Sequence, residues 1–265
     1  MSGVLDPQGP VAAAERLILI DATGIMLVIV IPVIVMTLAF AWRYRASNER
    51  AVYRPDWAYS GQLELIVWAI PTMIALLLGS VGWIGSQALD PARALISAVP
   101  PLHIQVVALD WQWLFIYPDA QVATANELYI PAGVPVQFEM TSATVMNAFF
   151  IPQLGSQVYT MPGMTTHLNL LADRPGEFPG LSAHFSGDGF SNMRFVVHAV
   201  SVADYAAWVA TTRSAASPLD PASFGELSRA EQHPRIRVFG AVAPLLFRQI
   251  LALSAPIPAV LPTAP

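Results

Sequence analysis

The sequence predicts a membrane-anchored α + β protein: a two-helix N-terminal transmembrane hairpin, then a β-sandwich or barrel, then a short helical tail. Three observations carry this reading. The 265 residues are 55% hydrophobic and 12% charged, too apolar for an ordinary soluble chain. Two long apolar runs stand near the N-terminus, and after Pro100 and Pro101 the pattern changes to short β-branched and aromatic stretches broken by Pro and Gly.

The first apolar run covers residues 17–42, with Asp21 and Pro32 as its interruptions. At ~1.5 Å per residue it reaches about 39 Å, enough for a hydrocarbon core of ~30 Å. The second covers 63–88, with Trp68 and Trp83 placed as interfacial aromatics and Pro71 tolerated as a kink. The loop between them, 43–60, holds Arg43, Arg45, Arg50 and Arg54, against only Arg16 and Arg93 on the outer flanks. The positive-inside rule therefore puts the loop in the cytoplasm and both termini on the opposite side.

Candidate strands follow at 103–107, 111–117, 127–130, 134–140, 157–159, 165–171 and 194–200. Trp111, Trp113, Phe115 and Tyr117 alternate at period two, which predicts four rings on one strand face, read as packing. Helices are expected at 202–210, 222–231 and 243–253; the last is too short to span and should pack on protein or on the membrane surface. The Pro/Ala-rich end is expected to be disordered. The domains thus read as an N-terminal segment 1–16, a hairpin region 17–95, a β-domain 96–201 and a tail 202–265.

Composition also excludes. The chain has no cysteine, so disulfides, zinc-thiolate sites, iron-sulfur clusters, thiolate-bound copper and a cysteine nucleophile are ruled out. A net charge of -5 leaves no basic face for a nucleic-acid backbone, so no nucleic-acid partner is expected. His103, His167, His198 and His233 show no helical i, i+4 ligand spacing.

Several segments are more particular: Leu5-Asp6-Pro7, Phe40-Ala41-Trp42-Arg43-Tyr44-Arg45-Ala46-Ser47-Asn48, Asp110-Trp111-Gln112-Trp113, Val145-Met146-Asn147-Ala148-Phe149-Phe150-Ile151-Pro152, Leu154-Gly155-Ser156-Gln157 and Phe185-Ser186-Gly187-Asp188-Gly189-Phe190-Ser191. With the two crossings ahead of them, over roughly residues 5–250, they resemble subunit II of the haem-copper oxidases, in its cytochrome bo-type, ubiquinol-oxidising branch. The resemblance implies a cupredoxin-like β-domain in the periplasm of a bacterial inner membrane. It implies a role in a proton-pumping quinol oxidase of the aerobic respiratory chain, in which subunit I oxidises ubiquinol, holds two haems and one copper, and reduces oxygen to water. Subunits I, III and IV and membrane lipid are the implied partners.

In the cytochrome c branch the β-domain holds a dinuclear copper centre on two His, two Cys, a Met and a Glu carbonyl. The resemblance carries those positions onto Asn147 and Phe190 for the histidines, Ser182 and Ser186 for the cysteines, His184 for the glutamate, and Met193. Only Met193 matches. Hydroxyls are poor bridges for copper and a phenyl ring cannot ligate, so no cofactor is expected in this chain. A mononuclear copper at His184, Met193, Met161 and Met164 is disfavoured, because methionines in an apolar domain are usually packing. The remaining alternative is a membrane-anchored cupredoxin-like protein for copper handling or assembly.

Glu64, at the start of the second run, occupies the place where the family has a glutamate at the cytoplasmic entrance of a proton pathway into subunit I. A plainer reading is a carboxylate favoured by the positive end of a helix dipole. The family's members begin as lipoproteins, with a lipidated Cys just ahead of the Leu-Asp-Pro stretch. Here Met1 stands about there, which leaves open a chain that starts after processing and a chain that is not lipidated.

Overall fold

In a computed structural model the described residues are 3–52, 55–215, 217–233 and 235–254. Met1, Arg54 and the Pro/Ala-rich end from residue 255 lie outside them. The chain divides into two compact units, one of Glu15–Leu89 and one of Met1–Ala14 with Asp90–Pro265.

The first unit is helical. Helix α1 spans Pro10–Arg43 and α2 spans Gly61–Ala88, and both are long and apolar enough to cross a membrane. Helix α1 thus begins seven residues before the apolar run does, because Pro10 suits a first helical position, where no N–H is needed. Ile18, Ala22, Ile25 and Ile29 on α1, and Ile74, Leu78, Val81 and Gly85 on α2, are among the less exposed positions. Their 3- and 4-residue spacing marks one stripe on each helix. Gly85 lets the helices approach, since a Cβ there would lie 2.7 Å from Ile18 Cδ1. The other faces are mostly exposed apolar side chains, which lipid or other membrane helices can cover. Thr23, Thr37 and Ser80 donate to carbonyls four residues back, so their hydroxyls cost little in an apolar medium. Arg45 closes α1: its guanidinium donates to Trp42 O at 2.9 Å and lies 5.0 Å from the Trp42 ring centre.

The second unit is a β-sandwich. Its strands are β1 (Leu102–Ala108), β2 (Trp113–Tyr117), β3 (Val122–Ala125), β4 (Glu127–Pro131), β5 (Val136–Ser142), β6 (Asn147–Ile151), β7 (Gly155–Thr160), β8 (Thr166–Leu170), β9 (Gly176–Ser182) and β10 (Arg194–Val200). Helix α3 (Val202–Ala215), β11 (Pro218–Leu219), α4 (Pro221–Leu227), β12 (Arg237–Phe239), β13 (Ala241–Val242) and α5 (Leu246–Leu253) form the tail. One sheet has the order β12-β3-β2-β1-β5-β8 and the other β4-β10-β9-β6-β7. The fold class is the one the sequence predicts.

The inner faces meet in an aromatic core. Phe149 is fully buried, stacked on Phe195 at 5.1 Å, with Trp113 at 5.2 Å, Phe138 at 5.5 Å and Phe115 at 6.3 Å. Every residue of β2 is buried, because its two faces serve two cores. Trp113, Phe115 and Tyr117 point into the sandwich, whereas Leu114 and Ile116 pack under the tail with Leu219, Leu227, Phe239, Leu246, Phe247 and Ile250. Helix α5 thus packs on protein.

Strands β3, β6 and β9 lie outside the stretches expected to be strands. Three of the departures from expectation have local causes. Strand β9 carries Gly176, Pro179 and Gly180, residue types common in turns, yet Pro179 sits at an exposed position and Gly180 is where the Phe195 ring presses against the backbone. Trp111 is not on the strand: with φ 65 it sits in the left-handed region, inside a turn closed by Leu109 N donating to Gln112 O at 2.9 Å. Helix α5 starts at Leu246 rather than 243, after Leu245 at φ 62.

The N-terminal segment belongs to this second unit. Gln8 N donates to Gln153 O at 2.7 Å, Gln153 Nε2 donates to Asp6 Oδ2 at 3.2 Å, and Arg174 Nε donates to Gln8 Oε1 at 2.7 Å. Val11 and Ala12, in the first turn of α1, are buried there too. The Leu-Asp-Pro stretch therefore opens a docking segment.

A tyrosine cluster ties α3 to the strands. Tyr117 Oη donates to Tyr129 O at 3.1 Å and accepts from Tyr129 N at 2.8 Å, and the Tyr129 ring lies between Trp208 at 4.5 Å and His198 at 4.6 Å. Burial holds the Tyr117 hydroxyl well above its ordinary range and pushes Tyr205 up to about 12, with the charge of Asp119 adding to the latter. A group whose folded pKa is raised contributes stability that is fully present below its unfolded value and is lost as pH rises through the folded one. The β-domain should therefore be insensitive to these groups below about pH 9, and should lose stability from about pH 10 upward. Denaturation midpoints measured against pH test this; an equally steep alkaline loss in Tyr205→Phe would remove Tyr205 as a contributor.

Candidate functional site

Two places hold the residues singled out by the sequence. The first is the start of α2. Ser60 is its N-cap residue but makes no side-chain cap, and Glu64 lies in the first turn, exposed, its N–H donating to Ser60 O at 3.0 Å. The first-turn amides of a helix lack partners within it, so a carboxylate there is electrostatically favoured.

The second is one end of the sandwich, where β6 begins and β9 ends. Asn147 is fully buried; its Nδ2 donates to Val145 O at 3.1 Å, and its Oδ1 lies 3.2 Å from the Ser182 hydroxyl that donates to it. That hydroxyl also lies 3.3 Å from His184 O. Ser182 N donates to Met193 O at 3.1 Å, and Met193 is buried in the aromatic core. The fold thus brings together Asn147, Ser182, the His184 backbone and Met193.

The other positions turn elsewhere. The His184 ring meets Tyr159 edge-on at 5.8 Å, and Phe190 pairs with Phe185 at 5.8 Å. Ser186 has a buried hydroxyl without a hydrogen-bond partner, while its carbonyl accepts from Trp111 Nε1 at 3.0 Å. Among the described residues no three His, Cys, Asp or Glu side chains form a group able to hold a metal. The donor set at this end does not fit a dinuclear copper centre. It offers an amide and a hydroxyl bonded to each other, a second hydroxyl, a phenyl ring and one thioether, with no soft bridging ligand.

Residues 118–200 match the family described as Cytochrome C oxidase subunit II, periplasmic domain. The chain is 49% identical over 248 residues to cytochrome bo(3) ubiquinol oxidase subunit 2 of Pseudomonas aeruginosa, covering 94% of this chain and 75% of that protein. It is 46% identical to the protein of that name from Pseudomonas putida, covering 94% and 79%. Against ubiquinol oxidase subunit 2 of Acetobacter aceti it is 44% identical, covering 94% and 81%.

The chain belongs to the ubiquinol oxidase subunit 2 family.

For a member of this family the β-sandwich is the cupredoxin-like domain, and the two apolar helices are its membrane part. Two residues stand out in it, one that the sequence placed elsewhere and one that it did not single out. Trp111, expected on the β2 face, packs at the margin of the core with its indole against the loop after β9. Asn126, at φ 63, accepts from Trp113 N at 2.9 Å and donates to Arg235 O at 2.9 Å, joining β2 to the tail. The Asn-Glu pair after a short strand was the available signal, since Asn tolerates the left-handed region.

Proposed function

We propose that this chain is the copper-free subunit II of a proton-pumping ubiquinol oxidase in a bacterial inner membrane. In this reading subunit I carries the two haems and the copper, oxidises ubiquinol and reduces oxygen; subunits III and IV complete the complex. The β-domain lies in the periplasm, and the arginine-bearing loop between the two crossings faces the cytoplasm. The single observation that carries the copper-free assignment is the Asn147–Ser182 hydrogen bond, which puts two hard, neutral groups, bonded to each other, where the copper-binding branch has an imidazole and one of the bridging thiolates. The chain's own contribution is to support subunit I with exposed apolar helix faces and a rigid extramembrane domain.

Proton entry is the second part of the proposal. Glu64 is an exposed carboxylate at the cytoplasmic end of α2 in this orientation, able to exchange protons with water and to pass them toward subunit I. The docking of residues 6–12 on the β-domain agrees with two crossings, an even number, which keeps both on one side of the membrane.

The deciding experiment is oxygen uptake by the purified complex with a reduced ubiquinone analogue and, separately, with reduced cytochrome c. Rapid uptake with quinol alone is expected. Comparable rates with cytochrome c would overturn the copper-free reading, because electrons would then have an entry this donor set does not supply. A preparation without haem would favour a copper-handling or assembly role instead.

A further inference from the structure

We infer that Trp111 is the element that orders the loop between β9 and β10, residues 183–193, in place of a metal. The loop contains Gly187 and Gly189 and makes only local turns of its own, through Phe190 N to Gly187 O at 3.2 Å, Asn192 N to Gly189 O at 3.0 Å and Met193 N to Phe190 O at 3.1 Å. Bonds of this kind are exposed to competition from water and do not hold a glycine-containing loop by themselves. Its ends are tied, through Ala183 N to Ala148 O at 3.0 Å and Asn192 Nδ2 to Gln232 O at 2.9 Å.

Between those ends, among the described residues, the one long-range hydrogen bond to residues 184–189 comes from the Trp111 indole. Its Nε1–H donates to Ser186 O at 3.0 Å, across 75 residues of sequence. The ring is also a template. A Cβ at Gly187, whose φ is +111, would lie 3.2 Å from Trp111 Cζ2, and the space beside Gly189 is filled by the Trp111 ring itself. Both glycines are thus explained by close approach of the backbone to the indole.

Trp111 can act so because its own backbone is held away from the strand. It lies at φ 65, and the next residue, Gln112, is buried and donates to Leu227 O at 3.1 Å. A bulky residue persists in the left-handed region only where its surroundings determine it. The loop that would carry four of the copper positions is consequently ordered from the Trp111 side, with no ligand required.

Hydrogen exchange on the full protein in its purified complex tests this, for wild type with and without a copper chelator and for Trp111→Ala, Trp111→Phe and Gly189→Ala. In Trp111→Ala, and in Gly189→Ala where the ring is pushed away, amides of 185–192 should exchange on the order of tenfold faster, while β1 and β5 stay protected. Trp111→Phe, which keeps a ring but loses the N–H, should fall between. Unchanged loop protection in Trp111→Ala with the core intact overturns the inference; if that variant loosens the core, unchanged protection in Trp111→Phe and Gly189→Ala does so. Faster loop exchange in wild type on chelation alone would also overturn it, and would separately count against the copper-free reading.

Discussion

Phe149→Ala should lower the stability of the β-domain by about 3–5 kcal/mol, the range for removing a large aromatic from a packed core. Phe149 is the ring around which the two sheets close. It is stacked on Phe195 with an interplanar angle of 8° and touches Trp113 and Phe115 from the opposite sheet. Those neighbours are fixed by strand pairing and cannot collapse into the cavity, so the cost should sit toward the upper end. The adjacent Phe150 is only half-buried and pairs in register with Leu181, so Phe150→Ala serves as the control with a smaller loss. Denaturant unfolding followed by tryptophan fluorescence measures both. Equal losses for the two variants would contradict the inner and outer assignment of β6.

The second large effect is on turnover. Glu64→Ala should slow oxygen reduction by roughly tenfold, a barrier increase of about 1.4 kcal/mol, with subunit content and haem content unchanged. The residue is exposed on this chain, so its removal should act on proton supply rather than on folding. Glu64→Asp, which retains an ionisable group near the same place, should restore most of the rate. Full turnover in the alanine variant would remove the proton-entry role and leave Glu64 as a favourable charge at a helix start.

The membrane part was legible because its physics is local. An apolar run long enough to cross a bilayer and arginines at one end are properties of consecutive residues, and the helices Pro10–Arg43 and Gly61–Ala88 enclose the runs read from composition. Strand β10 was legible at both ends for a similar reason, since Arg194–Val200 is unbroken by Gly or Pro. Strand β9 was not, because whether Pro179 and Gly180 interrupt a strand depends on what lies across from them.

Among the candidate site residues, residue type alone removed the thiolate chemistry: a chain without cysteine cannot build it in any fold. What that end of the domain does instead depended on contacts between distant segments. Asn147 meets Ser182 across 35 residues, and Trp111 meets Ser186 across 75. Period-two alternation placed Trp111 beside Trp113, and only the left-handed turn at residue 111, held by Leu109 and Gln112, turned its ring to the loop. The sequence by itself determined the membrane anchoring, the β-class of the domain and the absence of thiolate ligands, because these follow from side-chain chemistry and short-range periodicity. The tertiary structure decided the docking of the N-terminal segment, the two-faced burial of β2 and the partner of Trp111, because each is a pairing between segments that no local pattern encodes.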